Sequence, residues 1–117
     1  MANFIFLYRA TPEANQQHMG TPEAARASMQ AFTTWVAELE RKGHLVDPGQ
    51  PLDRRGAVVK GKDLITDGPF TELKDIVLGF SLIRADNLKQ ATVLAESCPV
   101  LQGEASVEVR PIAEVNF

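Results

Sequence analysis

The chain is poor in the residues that usually advertise chemistry. It has one cysteine, one tryptophan, one tyrosine and two histidines in 117 residues. A lone cysteine, Cys98, excludes an internal disulfide and fits a reducing compartment. His18 and His44 have no carboxylate at ligand spacing, so there is no metal motif. A glycine-rich phosphate loop, a nucleophile elbow and a dinucleotide fingerprint are all missing, and no cofactor is expected. Long apolar runs are missing too. Phe4 to Tyr8 is too short for a signal segment and lacks basic flanks, and no stretch is long enough to span a bilayer. A cytoplasmic protein with no membrane partner is expected. Basic runs are short: Arg41-Lys42, Arg54-Arg55 and Lys60/Lys62, none interleaved with aromatics, in a chain of net charge −3. Nucleic acid is therefore not an expected partner.

What is present reads as one domain, residues 1–117, of ordinary globular composition. Asn3 to Arg9 is dense in Phe, Ile, Leu and Tyr and predicts a strand buried on both faces, as in the centre of a sheet. Thr11-Pro12-Glu13-Ala14 and Thr21-Pro22-Glu23-Ala24 are the same word twice. With no matching period elsewhere, both read as helix starts: a Thr cap, Pro in the first turn and Glu near the positive dipole end. From the second start, Ala25, Met29, Phe32, Val36 and Leu39 recur at helical spacing with Trp35 beside them, and Gly43 is a natural stop. The spacing predicts a helix from Thr21 to Lys42, with Trp35 in the core or on a dimer surface.

Pro48-Gly49 and Pro51 keep 44–52 from being a regular central strand. Ala57 to Lys60 and Asp63 to Thr66 flank Gly61-Lys62, a two-residue hairpin signal. Asp67-Gly68-Pro69-Phe70 then predicts a rigid corner presenting a carboxylate and a ring. Ile76 to Arg84 predicts a strand. Asp86 or Asn87 caps a second helix with Leu88, Ala91, Leu94, Ala95 and Cys98 on one face, ended by Pro99. Ser106 to Ile112 is the last strand. The order is an α+β, βαββαβ unit with an extra hairpin and both helices on one face of the sheet. The other face, apolar and bare, predicts a homodimer.

Asp67-Gly68-Pro69-Phe70, Glu72, Lys74, Gly79-Phe80 and Val107-Glu108-Val109-Arg110-Pro111, with Phe6-Leu7-Tyr8-Arg9 and the Trp-containing helix ending at Gly43, resemble the DGPF family of the YCII-like superfamily over nearly the whole chain. The resemblance implies a ferredoxin-like fold that pairs into a dimeric α/β barrel. It implies little about activity: one relative in the superfamily is a dehydrochlorinase of a chlorinated hydroxyquinol, and some members resemble partners of extracytoplasmic sigma factors by context. A His-Asp pair suggested as an active site in other members does not transfer, because His18 and His44 lie outside the matching motifs. Of that pair only Asp67 carries over.

Asp67 has two readings. Against Phe70 it is a general acid or base with a raised pKa; as a turn residue it caps its own corner, which lowers the pKa. Glu108 and Arg110 share a face of the last strand, with Arg110 a holder of a carboxylate or phenolate and Glu108 a second acid/base group, or the two belong to a surface ion-pair ladder. Tyr8 and Arg9 end the first strand on opposite faces; Tyr8 shares a face with Phe4 and Phe6, so packing is its plainer reading, with a hydroxyl that could reach a ligand at the strand mouth as the alternative. His18 is an exposed connector residue or a loop base, His44 a cap at a helix end, Cys98 inert core. The catalytic set expected is Asp67, Glu108 and His18, and the substrate-binding set Tyr8, Arg9, Phe70 and Arg110. The function expected is a cofactor-free small-molecule enzyme or binder (proton transfer, elimination or isomerisation) for a small aromatic or acidic ligand. The alternative is a non-catalytic dimeric module working through a protein partner.

Overall fold

Thr21 accepts a hydrogen bond from the Ala24 N–H at 3.1 Å and Pro22 takes the first helical position, which opens helix α1 (Pro22–Arg41). Lys42 caps its other end, and Gly43, at φ +82°, turns the chain out of the helix. This matches the span expected from the start and stop signals. A computed structural model describes residues 1–11, 13–14, 20–62, 64–68 and 76–115, and of residues 64 and 66–68 it describes the backbone alone. The remaining elements are β1 (Ala2–Ala10), β2 (Leu45–Asp47), β3 (Gly56–Gly61), β4 (Leu64–Gly68), β5 (Ile76–Ala85), α2 (Leu88–Ala95), a 3₁₀ turn (Pro99–Gly103) and β6 (Ser106–Pro111).

Four strands form one antiparallel sheet in the order β2-β5-β1-β6, and β3 and β4 pair with each other as a separate hairpin. Without the hairpin this is the strand order of a ferredoxin-like α+β fold, with the hairpin inserted between β2 and β5. Strand β1 is central, as its composition suggests, but its two faces differ. Phe4, Phe6 and Tyr8 are buried together with Trp35 and Leu39 of α1, Ala91 and Ala95 of α2, and Ile83 and Ala85 of β5. Ile5 and Leu7, which point the other way at period two, remain half-buried. Trp35 is thus core: it stacks on Phe6 at 6.0 Å between ring centroids and donates its indole N–H to Ser97 Oγ at 3.0 Å. Cys98 is buried in the same cluster.

Several sequence expectations shift. Strand β6 is an edge of the sheet, and Arg110 is not buried: its side chain is 67% exposed. Met29, read as part of the core stripe, is half-exposed, and so is Leu88 at the start of α2. Asn87 caps α2 by accepting from the Gln90 N–H at 2.8 Å, and the helix ends at Ala95, before Pro99 opens the 3₁₀ turn. Gly61 pairs with Leu64, which moves the hairpin turn one residue past Gly61-Lys62. The backbones of Asp67 and Gly68 belong to β4, opposite Ala57 and Gly56. Pro69, Phe70 and the segment Thr71 to Asp75, with Glu72 and Lys74, lie outside the described residues.

His44 is buried, and its ring Nδ1 lies 3.0 Å from the Arg84 carbonyl, while the Arg84 N–H donates to the His44 carbonyl at 2.7 Å. Its backbone N–H donates to Leu39 O at 2.9 Å. The imidazole therefore ties the end of α1 to β5. Residues 48–52 form a strap against β5: Leu52 donates to the Leu78 carbonyl at 2.8 Å and Pro51 bridges Gly79. The strap lies close because Gly49 and Gly79 have no side chains. A Cβ at Gly49 (φ +76°) would sit 1.6 Å from the Phe80 carbonyl oxygen, and one at Gly79 would sit 2.9 Å from the Gln50 oxygen. No described helix is long and apolar enough to cross a membrane.

Candidate functional site

Tyr8 comes from the C-terminal half of β1, on the face that α1 covers, and Phe32 of α1 meets its ring edge-on at 5.1 Å. Beside them is a cavity of about 490 Å³. Phe32, Met29 and Val36 of α1 line it on one side, the strap and the first half of β5 on another, and the 3₁₀ turn with Ala105 completes the lining. Its surface is mostly apolar, and Arg54 is the cationic side chain in its described lining. Gly49 of the strap and Gly79 of β5 let the strap lie close against β5 along this side of the cavity.

The base of this region carries a buried relay. Tyr8 Oη donates to Ser81 Oγ at 2.7 Å, and Ser81 Oγ donates to the Pro48 carbonyl at 2.7 Å. Burial pushes the phenol far above its ordinary pKa, and the hydrogen bond to Ser81 offsets that only in part. Tyr8 is therefore a neutral phenol at physiological pH. Burial also pushes the Cys98 thiol up, to about 11, which leaves it a poor nucleophile.

The expected site residues divide. Tyr8 lies in the cavity wall. Arg9 and Glu108 are brought together elsewhere: Arg9 Nη1 donates to Glu108 Oε1 at 2.9 Å, and Arg110 Nε stands 4.0 Å from Glu108 Oε2. That trio belongs to the β1–β6 side of the sheet, and none of its members is in the cavity lining. Asp67 is on the hairpin and is described by its backbone alone, while His18 and Phe70 lie outside the described residues. Sequence reasoning missed Ser81, Arg54 and the 48–52 strap. Pro48-Gly49 and Pro51 were a signal for the strap, since two prolines and a glycine favour an extended path. Nothing local marks Ser81, because its partners are 73 and 33 residues away.

The computed fold is similar to the solved structure of 5-chloro-2-hydroxyhydroquinone dehydrochlorinase from Burkholderia phenoliruptrix, in complex with 2,5-dihydroxybenzoquinone. The TM-score is 0.56 at 16% sequence identity, covering 97% of this chain and 95% of that one. At that identity the likeness is one of fold. No curated protein matches the sequence. The model of the YCII-related domain matches residues 3–116, and the chain belongs to that family.

Proposed function

We propose that this protein binds a small aromatic molecule in the cavity beside Tyr8 and acts on it without a cofactor, by proton transfer coupled to elimination or isomerisation. The observation that carries the reading is the apolar cavity with a buried, hydrogen-bonded phenol in its wall. In an elimination a base removes a proton and the leaving group departs as an anion with the bonding pair; in an isomerisation the proton returns to another atom of the same molecule, and neither course needs an oxidant or reductant. The phenol of Tyr8 stays protonated and serves in orientation, not as the base. Asp67 is the base in this reading. The dehydrochlorinase with a similar fold lends associational support to this reaction class.

Both helices are read as covering the same face of the sheet. The half-buried Ile5, Leu7 and Leu82 on the opposite face then belong to a homodimer interface that closes two sheets into an α/β barrel. In the same reading Arg9, Glu108 and Arg110 flank that interface, and Glu108, His18, Phe70 and Arg110 are secondary to the cavity. A cytoplasmic location accords with the single buried thiol.

One observation favours a second reading: the described cavity lining holds no carboxylate and no imidazole. That suits a ligand-binding module without turnover, which signals its ligand through a protein partner.

A thermal-shift screen of wild type, Asp67→Asn and Met29→Trp against quinols, 2,5-dihydroxybenzoquinone and small aromatic acids, with each binding ligand then assayed for product, separates the two: product from wild type supports the enzyme, binding without product the module. A ligand at a hundred times its Kd stabilises the folded form by about 2.7 kcal/mol. The bulkier Trp at half-exposed Met29 fills the cavity and is expected to abolish the shift. Asp67→Asn is expected to keep binding and lose turnover. Turnover that persists in Asp67→Asn removes Asp67 as the base, and a ligand that still shifts Met29→Trp lies elsewhere and overturns the cavity reading.

A further inference from the structure

We infer that the cavity takes a hydroxylated aromatic anion, its hydroxyl against Tyr8 and its negative group at Arg54. This deepens the cavity reading above and rests on it. The first argument is the direction of the relay. A carbonyl can only accept, so the Ser81 proton goes to Pro48 O, and Ser81 Oγ must accept the proton of Tyr8. Tyr8 oxygen is left with acceptor capacity alone. A ligand group that meets it must donate: a hydroxyl is matched, whereas a carboxylate or a carbonyl would set lone pair against lone pair. Burial keeps the phenol protonated, so the direction does not reverse near neutral pH.

The second argument is Arg54. It lines the cavity and is exposed, and among the described residues no acid pairs with it. Its neighbour Arg55, which is outside the lining, is already taken: Asp53 Oδ2 accepts from Arg55 Nη2 at 3.0 Å. One cation in a mostly apolar lining favours a single negative group on the ligand. The third is the rest of the lining, where Phe32, Val36 and Leu52 offer apolar contact to a ring. A hydroxyl donor, a ring and an anion together describe a hydroxyaryl acid.

The test uses three ring probes of similar size: 4-hydroxybenzoate, 4-methylbenzoate and methyl 4-hydroxybenzoate. The first keeps both polar groups, the second lacks the donor and the third lacks the charge. Trp35, the single tryptophan, has its ring 6.3 Å from Tyr8 and 5.7 Å from Phe32, so its fluorescence reports occupancy, with calorimetry as a second readout. Wild type is expected to prefer 4-hydroxybenzoate over the methyl compound by about fivefold and over the ester by about threefold. The preference over the ester is expected to fall with added salt. Arg54→Gln, a surface change, is expected to erase the preference over the ester alone. Tyr8→Phe is expected to erase the preference over the methyl compound alone, and Arg55→Gln to change neither. Equal binding of the three probes by wild type, or preferences that survive both variants, overturns the inference and leaves the cavity reading standing. Binding of none of them at millimolar concentration, by a protein that also gives no shift in the quinol screen, sinks both.

Discussion

Tyr8 and Ser81, far apart in sequence, share a 2.7 Å hydrogen bond whose direction is set by a third residue, Pro48, whose carbonyl takes the serine proton. The pair joins the central strand to its neighbour β5 and both to the strap, at one edge of the cavity. Its energetics are asymmetric. Ser81→Ala strands the buried Tyr8 proton and is expected to cost about 1–3 kcal/mol, whereas Tyr8→Phe leaves Ser81 its bond to Pro48 and costs about 1 kcal/mol. The double variant is expected to lose less than the sum, because the stranded donor is gone. Urea denaturation of the four proteins checks this, and strict additivity would show that the bond does not couple the two side chains.

Glycine at position 49 is under a heavier constraint than glycine at 43. Both have positive φ, but a Cβ at Gly43 meets open space while one at Gly49 meets the Phe80 carbonyl at 1.6 Å. Gly43→Ala is expected to cost about 1 kcal/mol of left-handed strain. Gly49→Ala must also lift the strap from β5, so it is expected to cost more than that and to weaken any ligand held in the cavity. Melting curves of the two variants, with the titration above, give both comparisons; equal losses would contradict the close packing.

The buried thiol makes stability fall in base. The folded pKa of Cys98 is raised from 9.0 to about 11, so between those values the folded state keeps a proton that the unfolded state releases. The contribution is present below pH 9 and is lost as pH rises towards 11. Tyr8 adds the same sign of effect above its ordinary value of 10. Cys98→Ala is expected to flatten the fall in denaturation midpoint across this window, and native Cys98 to react with a thiol reagent at neutral pH far more slowly than in urea. A midpoint that rises with pH there would reverse the sign.

The proposed dimer interface gives a mass prediction. Leu82 sits opposite Ile5, in the half-buried set facing away from the core. Wild type is expected to sediment as a dimer and Leu82→Arg at half that mass, since a charge taken into an apolar interface has no partner there. A dimer that survives Leu82→Arg places the interface on another surface.

Helix α1 was legible almost to the residue because its signals are local: Thr21 and Pro22 at the start, Gly43 just beyond the end, and an apolar stripe between them. The strands other than β2 were legible by composition, with ends a residue or two off; β2 fell in a stretch whose prolines and glycine read as extended or looped. The candidate site was legible only in fragments. Tyr8 was named, and so were Arg9 and Glu108, which do meet, but on a different side of the sheet from the cavity. Arg54 looked like half of a basic dipeptide, and only the strap's course brings it to the rim while leaving Arg55 to Asp53.

Local chemistry, then, determined by itself which segments are helical and extended, where α1 begins and ends, that disulfides are excluded, and the family resemblance carried by residues 67–70 and 107–111. Those depend on caps, periodicity and residue type, which act within a few residues. The tertiary structure alone decided that β6 is an edge, that His44 binds β5, that Ser81 polarises Tyr8 and that a cavity opens between α1 and the strap. Each of these depends on strand order and on contacts between residues remote in the chain, for which no short stretch of sequence holds both partners.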